Sequence, residues 1–518
     1  MPKGKPNIVV IWGDDIGMWN VGAYTHGMMG RTPNIDSIGQ EGCIFTDHYG
    51  QPSCTAGRAA FIMGQLPVRT GMTTIGIPGS TRGIQKEDPT LAEVLKSQGY
   101  ATGQFGKNHL GDRNEFLPTV HGFDEWFGNL YHLNAEEEPE ELDYPGQKHP
   151  EYTKKFGPRG VMHAWATDVD DPTEDGIFGR RGKQKVENTG LLTRKRMETF
   201  DAEVLGHTLT WMDKAGKADA PFFLWFNTTA IHIFSHPNPK YLQMAVDEGR
   251  AEEDVVRARM IEHDEHVGAI LAKIKELGVE DDTIVVYSTD NGNELMLWPD
   301  GGYAPFRGEK GTTWEGGVRV PCMIKWPGKI PPHSTSNGLQ SHEDLYVTLA
   351  AAAGLPSLKD DLLKGYKMNG VSYKVHLDGY NNLDHWAGKD KESARPCYYY
   401  YDETDLMAIR VRNWKMHIGV KMKGSWWNEK VYPSVPYIFN LRMDPMEKMD
   451  PESEEWGYAG RRFFASKLWA PNAGAPFIGE HLESLKAYPP RQAADTLSMH
   501  VALEAAMAKL ANASASSN

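Results

Sequence analysis

Short, uninterrupted apolar runs punctuate the chain at Asn7 to Trp12, Phe222 to Phe226 and Thr283 to Tyr287. Runs this short, rich in β-branched and aromatic residues, predict strands buried on both faces, as in parallel sheets. Each gives way abruptly to polar residues: Gly13-Asp14-Asp15, Asn227-Thr228-Thr229 and Ser288-Thr289-Asp290-Asn291-Gly292. Between them the apolar spacing becomes helical. Pro52 and Ser53 suit the entry to a helix that begins near Cys54, Thr90-Leu-Ala-Glu93 reads as a capping box for a helix stopping at Gly99, and Asp254 to Leu277 keeps helical spacing. Strands alternating with helices and ending in polar groups predict an α/β protein, an open sheet whose carboxyl edge forms the site.

From about Tyr131 to Lys217 the alternation weakens and charge, proline and glycine increase, which predicts a long insertion. Glu136-Glu137-Glu138-Pro139-Glu140-Glu141 within it reads as a solvated acidic face, and nothing places His163 or Trp165 at a site. A final strand is expected over Val318 to Trp326. Beyond about residue 375 aromatic strands follow (Tyr398 to Tyr401, Met407 to Ile418), then a helix from about Leu497 to Leu510 and a polar tail. A chain of 518 residues is too long for one simple core. The expectation is a large unit, 1–375, with its insertion at about 131–217, and a smaller one, 376–518, of antiparallel sheet plus helix.

Composition narrows the partners. The formal charge of −14 and the absence of a long basic block argue against nucleic acid and an anionic membrane surface. Any anionic substrate must then meet a local cationic pocket. Cys43, Cys54, Cys322 and Cys397 lack metal-ligand spacing, which fits a reducing compartment or at most an incidental disulfide. No apolar run approaches the roughly 20 residues that span a bilayer, and the N-terminal residues lack a signal-peptide core. The expectation is a cytoplasmic protein, or a periplasmic or secreted one if a leader has been removed.

Several residue groups invite chemistry. Asp14 and Asp15 can share a ligand only if the backbone curls, which Gly13 and Gly17 permit; otherwise they form a solvated turn. Cys54-Thr55-Ala56-Gly57-Arg58 places a thiol and an arginine on one face at a helix start, where free N–H groups suit an anion; a buried cysteine beside a surface arginine is the plainer reading. Lys107 and His109 would point to one side in extended backbone. His263 and His266 lack the His-Glu-x-x-His arrangement and are read as a solvated or partly packed face, and the Asn227 sequon follows a buried strand and is discounted. Lys310 sits on a glycine-flexed loop.

Cys54-Thr55-Ala56-Gly57-Arg58 resembles the signature of type I sulfatases of the alkaline phosphatase superfamily, whose cysteine is enzymatically oxidised to formylglycine; the commoner signature has proline where this chain has Ala56. Gly-Lys107-Asn-His109-Leu-Gly, the Asn227 to His236 stretch and the Arg307 to Pro321 loop also resemble the family, in order. The resemblance implies an alkaline phosphatase-like fold, a large mixed, mostly parallel sheet flanked by helices with a smaller C-terminal antiparallel sheet and helix. It implies Asp14, Asp15, Asp290, Asn291 and modified Cys54 as metal ligands; an all-oxygen set favours a hard cation, calcium first and magnesium second. It further implies attack on sulfur by a hydroxyl at position 54, Arg58, Lys107 and Lys310 around the sulfate, and protonation of the leaving group by His232 or Lys310, with His236 the weaker match for the histidine. His109 would deprotonate the second hydroxyl, which expels sulfate. The implied partners are a small aryl or alkyl sulfate ester and a formylglycine-generating enzyme, and a homo-oligomer is compatible with the sequence. A phosphonate or phosphate ester hydrolase is the alternative enzyme, and a non-catalytic calcium-dependent binder of sulfated ligands the alternative of another class.

Overall fold

A computed structural model gives the structure of residues 4–252, 254–296, 299–300, 303–504 and 506–507. Its centre is the first apolar run, which forms strand β1 (Asn7–Gly13), buried at every position. Nine further strands complete one sheet: β2 (Cys43–Phe45), β3 (Ala101–Gly106), β4 (Glu125–Gly128), β5 (Met162–Glu174), β6 (Arg180–Asn188), β7 (Phe222–Asn227), β8 (Thr283–Thr289), β9 (Cys322–Lys325) and β10 (Ser334–Ser336). Across the sheet they run β10-β2-β9-β8-β1-β7-β3-β4-β5-β6. The middle five, β8 to β4, are parallel, with Val10 opposite both Trp225 and Val286. Antiparallel strands β9 and β5 close this block on either side. The sheet is therefore mixed, with a parallel heart.

Because side chains alternate, β1 supplies two cores. Val10 and Trp12 face the side covered by α1 (Cys54–Met63) and α2 (Leu91–Ser97), and Val9 and Ile11 face α3 (Arg194–Gly216) and α4 (Val255–Glu276). A further helix, α5 (His342–Ala352), joins the first side. Trp12, Phe61 and Trp225 interlock there with ring centroids 5.1 to 5.6 Å apart. Each fully buried ring stabilises the fold by roughly 2–3 kcal/mol relative to exposure. The capping box forms as expected: Thr90 Oγ1 accepts from Glu93 N at 3.0 Å, and a Glu93 carboxylate oxygen accepts from Thr90 N at 2.8 Å.

The structure departs from the sequence reading in several places. The 131–217 stretch is no mere excursion, since it carries β5 and β6 of the main sheet and the long helix α3, whose Trp211 packs on Phe105. Residues 168–183 of that hairpin project with mostly exposed or half-exposed side chains, so no burial alternation marks them as strand. The acidic run is not wholly solvated: Glu136 and Glu137 are buried. Of the two readings for His263 and His266, solvated or partly packed, the packed one holds: both are buried, His263 bonding Thr228 Oγ1 at 3.0 Å. The strand expected over Val318 to Trp326 spans only Cys322–Lys325, because Glu315–Val318 closes into a helical turn, and it is not the final one, since β10 follows it in the same sheet.

The C-terminal strands β11 (Cys397–Asp402), β12 (Asp405–Val411), β13 (Trp414–His417) and β14 (Tyr437–Asn440) form an antiparallel sheet. The single strand expected over Met407 to Ile418 is two, reversing at Arg412 with φ 52°. Helix α6 (Ala470–Ala487) lies on this sheet, His481 stacked on Tyr399 at 4.3 Å. Residues 499–504 and 506–507 are helical; the rest of the expected terminal helix and the polar tail, 505 and 508–518, lie outside the described residues. Among the described residues no helix is long and apolar enough to cross a membrane.

One buried carboxylate ties the two sheets together. Asp47, fully buried, meets Arg319 at 3.2 Å, Arg410 at 2.6 Å and Arg442 at 3.0 Å. Burial pushes its carboxyl up, but the three guanidinium groups outweigh this and hold it down at about 2. A depressed carboxyl contributes stability that is complete above the unfolded value near 4 and is lost as pH falls through about 2. Asp47→Asn should thus destabilise by about 3–5 kcal/mol at neutral pH, the usual cost of breaking a buried pair. In urea unfolding its loss of stability between pH 4 and pH 2 should also be shallower than that of the wild type.

Candidate active site

Four strand ends meet under one side chain. Arg58, on α1 and fully buried, donates from Nε and Nη2 to Asp290 Oδ2 at 3.1 and 2.9 Å, beyond the end of β8. Its Nη1 donates to Asn227 Oδ1 on β7 at 3.0 Å and to the Lys107 carbonyl after β3 at 3.2 Å, and Nη2 lies 3.7 Å from Asp14 Oδ1 after β1. Burial works against the guanidinium charge, but Asp290 and Asp14 more than restore it and raise its pKa. The approach depends on Gly57: a Cβ there would sit 2.0 Å from the Asp290 carbonyl oxygen.

The curl that brings the paired carboxylates together is carried by Asp15 itself, at φ 63°, rather than by the flanking glycines. Gly13 serves a different purpose, since a Cβ there would lie 2.9 Å from the Ala230 carbonyl oxygen, which accepts from Asp14 N. Asp290 Oδ1 accepts from Asp15 N at 3.2 Å and Asn291 N at 3.0 Å, while Asn291 Nδ2 donates to Asp15 Oδ1 at 2.7 Å. Cys54, the first residue of α1, is fully buried, and one ligand atom each from Asp14, Asp15 and Cys54 fall within 4.8 Å of one another. Burial pushes the Cys54 thiol far up despite the pull of Lys107 and Lys310. An unmodified thiol here stays protonated and is a poor nucleophile.

Two lysines complete the charge balance. Lys107 Nζ donates to Asp14 Oδ2 at 2.5 Å, and Lys310 Nζ to Asp15 Oδ2 at 2.9 Å. Lys107 and His109 do not lie on extended backbone, for β3 stops at Gly106 and His109 has φ 59°. His109 is buried with neither ring nitrogen hydrogen-bonded, and burial together with Lys107 and His132 keeps it neutral. His232 Nδ1 bonds the Ile233 carbonyl at 2.8 Å, so its proton lies there and Nε2 faces Lys310 Nζ at 3.4 Å. Burial, with Lys310, lowers His232 to about 3. His236 stands apart, paired with Glu137 at 2.6 Å. His163 is likewise remote in role, bonded to Glu125 at 2.9 Å and in tilted ring contact with Trp165.

Sequence reasoning missed Glu294 and His132. Glu294 Oε2 lies 3.3 Å from Lys310 Nζ, and burial raises its carboxyl to about 7. His132 presents its ring 6.1 Å from that of His232 and 5.7 Å from that of His109. Neither carried a motif; only loop geometry brings them in. Both line a cavity of about 750 Å³ over Lys310 and His232, walled by Phe234, Met296, Trp426 and Trp427.

Buried acids, lysines and a helix-start cysteine at a sheet edge have counterparts among known proteins. The sulfatase family model matches residues 6–355. The chain belongs to the sulfatase family. It is 32% identical over 429 residues to human arylsulfatase A, covering 80% of this chain and 74% of that one. It is 29% identical to N-acetylgalactosamine-6-sulfatase of Rattus norvegicus, covering 86% and 80%. Among solved structures, PsFucS1 sulfatase from Pseudoalteromonas sp. superposes with a TM-score of 0.78 at 28% identity, covering 94% of this chain and 92% of that one. The protein is thus a sulfuric ester hydrolase with the alkaline phosphatase-like fold.

The family generally uses a divalent metal and formylglycine, and the residues present fit such an ion. Asp14 Oδ1 and Asn291 Oδ1 are buried oxygens without a hydrogen-bond partner, an arrangement a cation would relieve. Adding a divalent cation to exhaustively chelated protein should raise its melting temperature. Asp14→Asn and Asn291→Ala should shrink that rise to near nothing in differential scanning fluorimetry, whatever their activity.

Proposed function

We propose that this sulfatase hydrolyses small aryl or alkyl sulfate esters, with Cys54 converted to formylglycine by a formylglycine-generating enzyme and calcium held by Asp14, Asp15, Asp290, Asn291 and residue 54. The observation that carries this reading is the convergence of Cys54 with two carboxylates and two lysines in a buried floor. Donor chemistry supports calcium, since carboxylate and amide oxygens suit a hard cation, magnesium being second. When bound, the ion supplies Lewis acidity to a sulfate oxygen, and the hydrated aldehyde supplies paired hydroxyls, one to attack and one to release.

The chain's own residues do the rest. Arg58, Lys107 and Lys310 place positive charge about the sulfate, each preorganised donor contributing on the order of 3 kcal/mol to the transition state. Lys310 keeps its proton: burial opposes the charge, but Asp15 and the other acidic groups around it raise its pKa well above the ordinary value. Its Nζ, which faces the lone pair of His232 Nε2 at 3.4 Å, is the protonated group we place against the leaving oxygen. His109, neutral and with both nitrogens free of protein partners, is suited to take a proton from position 54. Phe234, Met296, Trp426 and Trp427 at the mouth favour an ester with an apolar body over a polyanionic chain. We assign the floor of this site to a catalytic unit of residues 1–375, and the rest of the chain, which brings Trp426 and Trp427 to the mouth, to a smaller unit, 376–518. Four free buried cysteines support a reducing, cytoplasmic setting.

Mass spectrometry of the Cys54 peptide should show loss of about 18 mass units, or the hydrate, in active protein. Matched assays should favour a phenyl sulfate over phosphate or phosphonate esters and over a heparin-like polymer. Full activity from protein bearing only thiol would refute the assignment. Cys54→Ser should release at most one equivalent of alcohol and gain about 80 mass units as a sulfated serine, because serine lacks a second hydroxyl to expel sulfate. Asp290→Ala should lose both metal and turnover.

A further inference from the structure

Lys310 rides on a loop with no regular structure between Arg307 and Trp314, where Gly308 and Gly311 take φ values of 82° and 76°. Such a segment does not hold a charged tip in place by itself. On the catalytic side it is pinned at two points: Lys310 N donates to the Asn293 carbonyl at 2.9 Å and Gly311 N to the Pro52 carbonyl at 2.6 Å. Its other side is held by a short hairpin of the C-terminal part of the chain, in which Val420 pairs with Val431 and Lys421 with Lys430.

That hairpin grips the loop at successive residues. Arg307 Nη2 donates to the Met422 carbonyl at 2.7 Å and Trp314 Nε1 to the Lys421 carbonyl at 2.7 Å, fixing both ends. In the middle, Lys421 Nζ donates to the Gly311 carbonyl at 2.8 Å and is itself anchored by Asp402 at 3.1 Å. Trp426 lies directly on the loop. A Cβ on Gly311 would fall 2.2 Å from its indole, and Lys310 Nζ sits 5.5 Å from its ring centroid, within cation–π range. Glu309 ties the hairpin to the metal-side loop, accepting from Trp426 N at 3.3 Å and from Leu295 N at 2.7 Å.

We propose that Trp426 and Lys421 are positioning residues for Lys310, so that the C-terminal hairpin is a working part of the catalytic site although it supplies no reacting atom. The indole covers one face of the ammonium and leaves it the direction of Asp15, His232 and Glu294, all within 3.4 Å of Nζ. Lys421 holds the carbonyl next to Lys310 and so sets where the side chain begins. This role rests on the sulfate-ester reading only for the choice of assay substrate.

The test is a double-mutant cycle on the full-length, metal-loaded enzyme with an aryl sulfate. Trp426→Ala should lower kcat about 10- to 100-fold, the scale of a misplaced catalytic group, while KM changes by less than about threefold. Trp426→Phe, which keeps an aromatic face, should stay within about fivefold of wild type, and Lys421→Met should resemble Trp426→Ala. In a Lys310→Met background, Trp426→Ala should cost nothing further. An equal proportional loss in both backgrounds, a loss confined to KM, or no loss at all would overturn the proposal. Acylation of Lys310, read by peptide mass spectrometry, decides the matter where Lys310→Met is too slow to assay. Lys310 is 2% exposed and should be protected in wild type and Trp426→Phe but modified at least about tenfold faster in Trp426→Ala of unchanged melting temperature. Equal protection in all three would overturn the proposal. Absence of sulfate-ester turnover by the wild type would sink the substrate assignment alone, leaving the acylation result to judge the hairpin.

Discussion

The Arg58 guanidinium is the constraint on which the site depends. Buried ion pairs are poor sources of net stability, because stripping water from both partners costs about what their attraction returns. Their value here lies in specification. A single planar group reaches Asp290, Asn227, the Lys107 carbonyl and the neighbourhood of Asp14, so the ends of four parallel strands take one relative height. The helix that carries Arg58 also carries Cys54 four residues earlier, on the same face. Fixing the guanidinium thus fixes position 54 against the acids.

Charge explains how an acidic protein accommodates an anion. In the floor, the carboxylates of Asp14, Asp15 and Asp290 face the cations of Arg58, Lys107 and Lys310, a balanced set. A divalent ion held there would tip this set to a net positive value, which a sulfate monoester would bring back toward neutrality. The surrounding surface, at a formal −14 overall, plays no part in that local arithmetic. Glu294, whose carboxyl burial raises to about 7, adds little negative charge beside Lys310 at lower pH.

The parts legible in the sequence are those whose signal is local. Strand runs ending in polar residues announced β1, β7 and β8; Thr90 and Glu93 announced a helix; and Cys54 to Arg58 announced a helix start with chemistry on one face. The parts that escaped are set by tertiary contact. Glu136 is buried within a run that reads as solvent-facing because charge alone does not reveal what covers it. The hairpin of β5 and β6 extends past the layers that bury the rest of the sheet, so its residues carry little periodicity. Glu294 and His132 sit on loops, and Trp426 arrives from the turn of the C-terminal hairpin more than a hundred positions beyond Lys310.

The burial of position 54 has a temporal meaning. Its side chain exposes no surface, begins the first turn of α1, and lies against Asp14 and Asp15 at strand ends that Arg58 holds together. No second protein can bring a reactive centre to that sulfur once those strands have assembled. The proposed oxidation of Cys54 by another enzyme would therefore belong to the biosynthetic history of the polypeptide, while the segment is still extended and reachable. A chain that closed before such a step would seal in its thiol, and the rate at which this sheet edge forms would then compete with the rate of maturation.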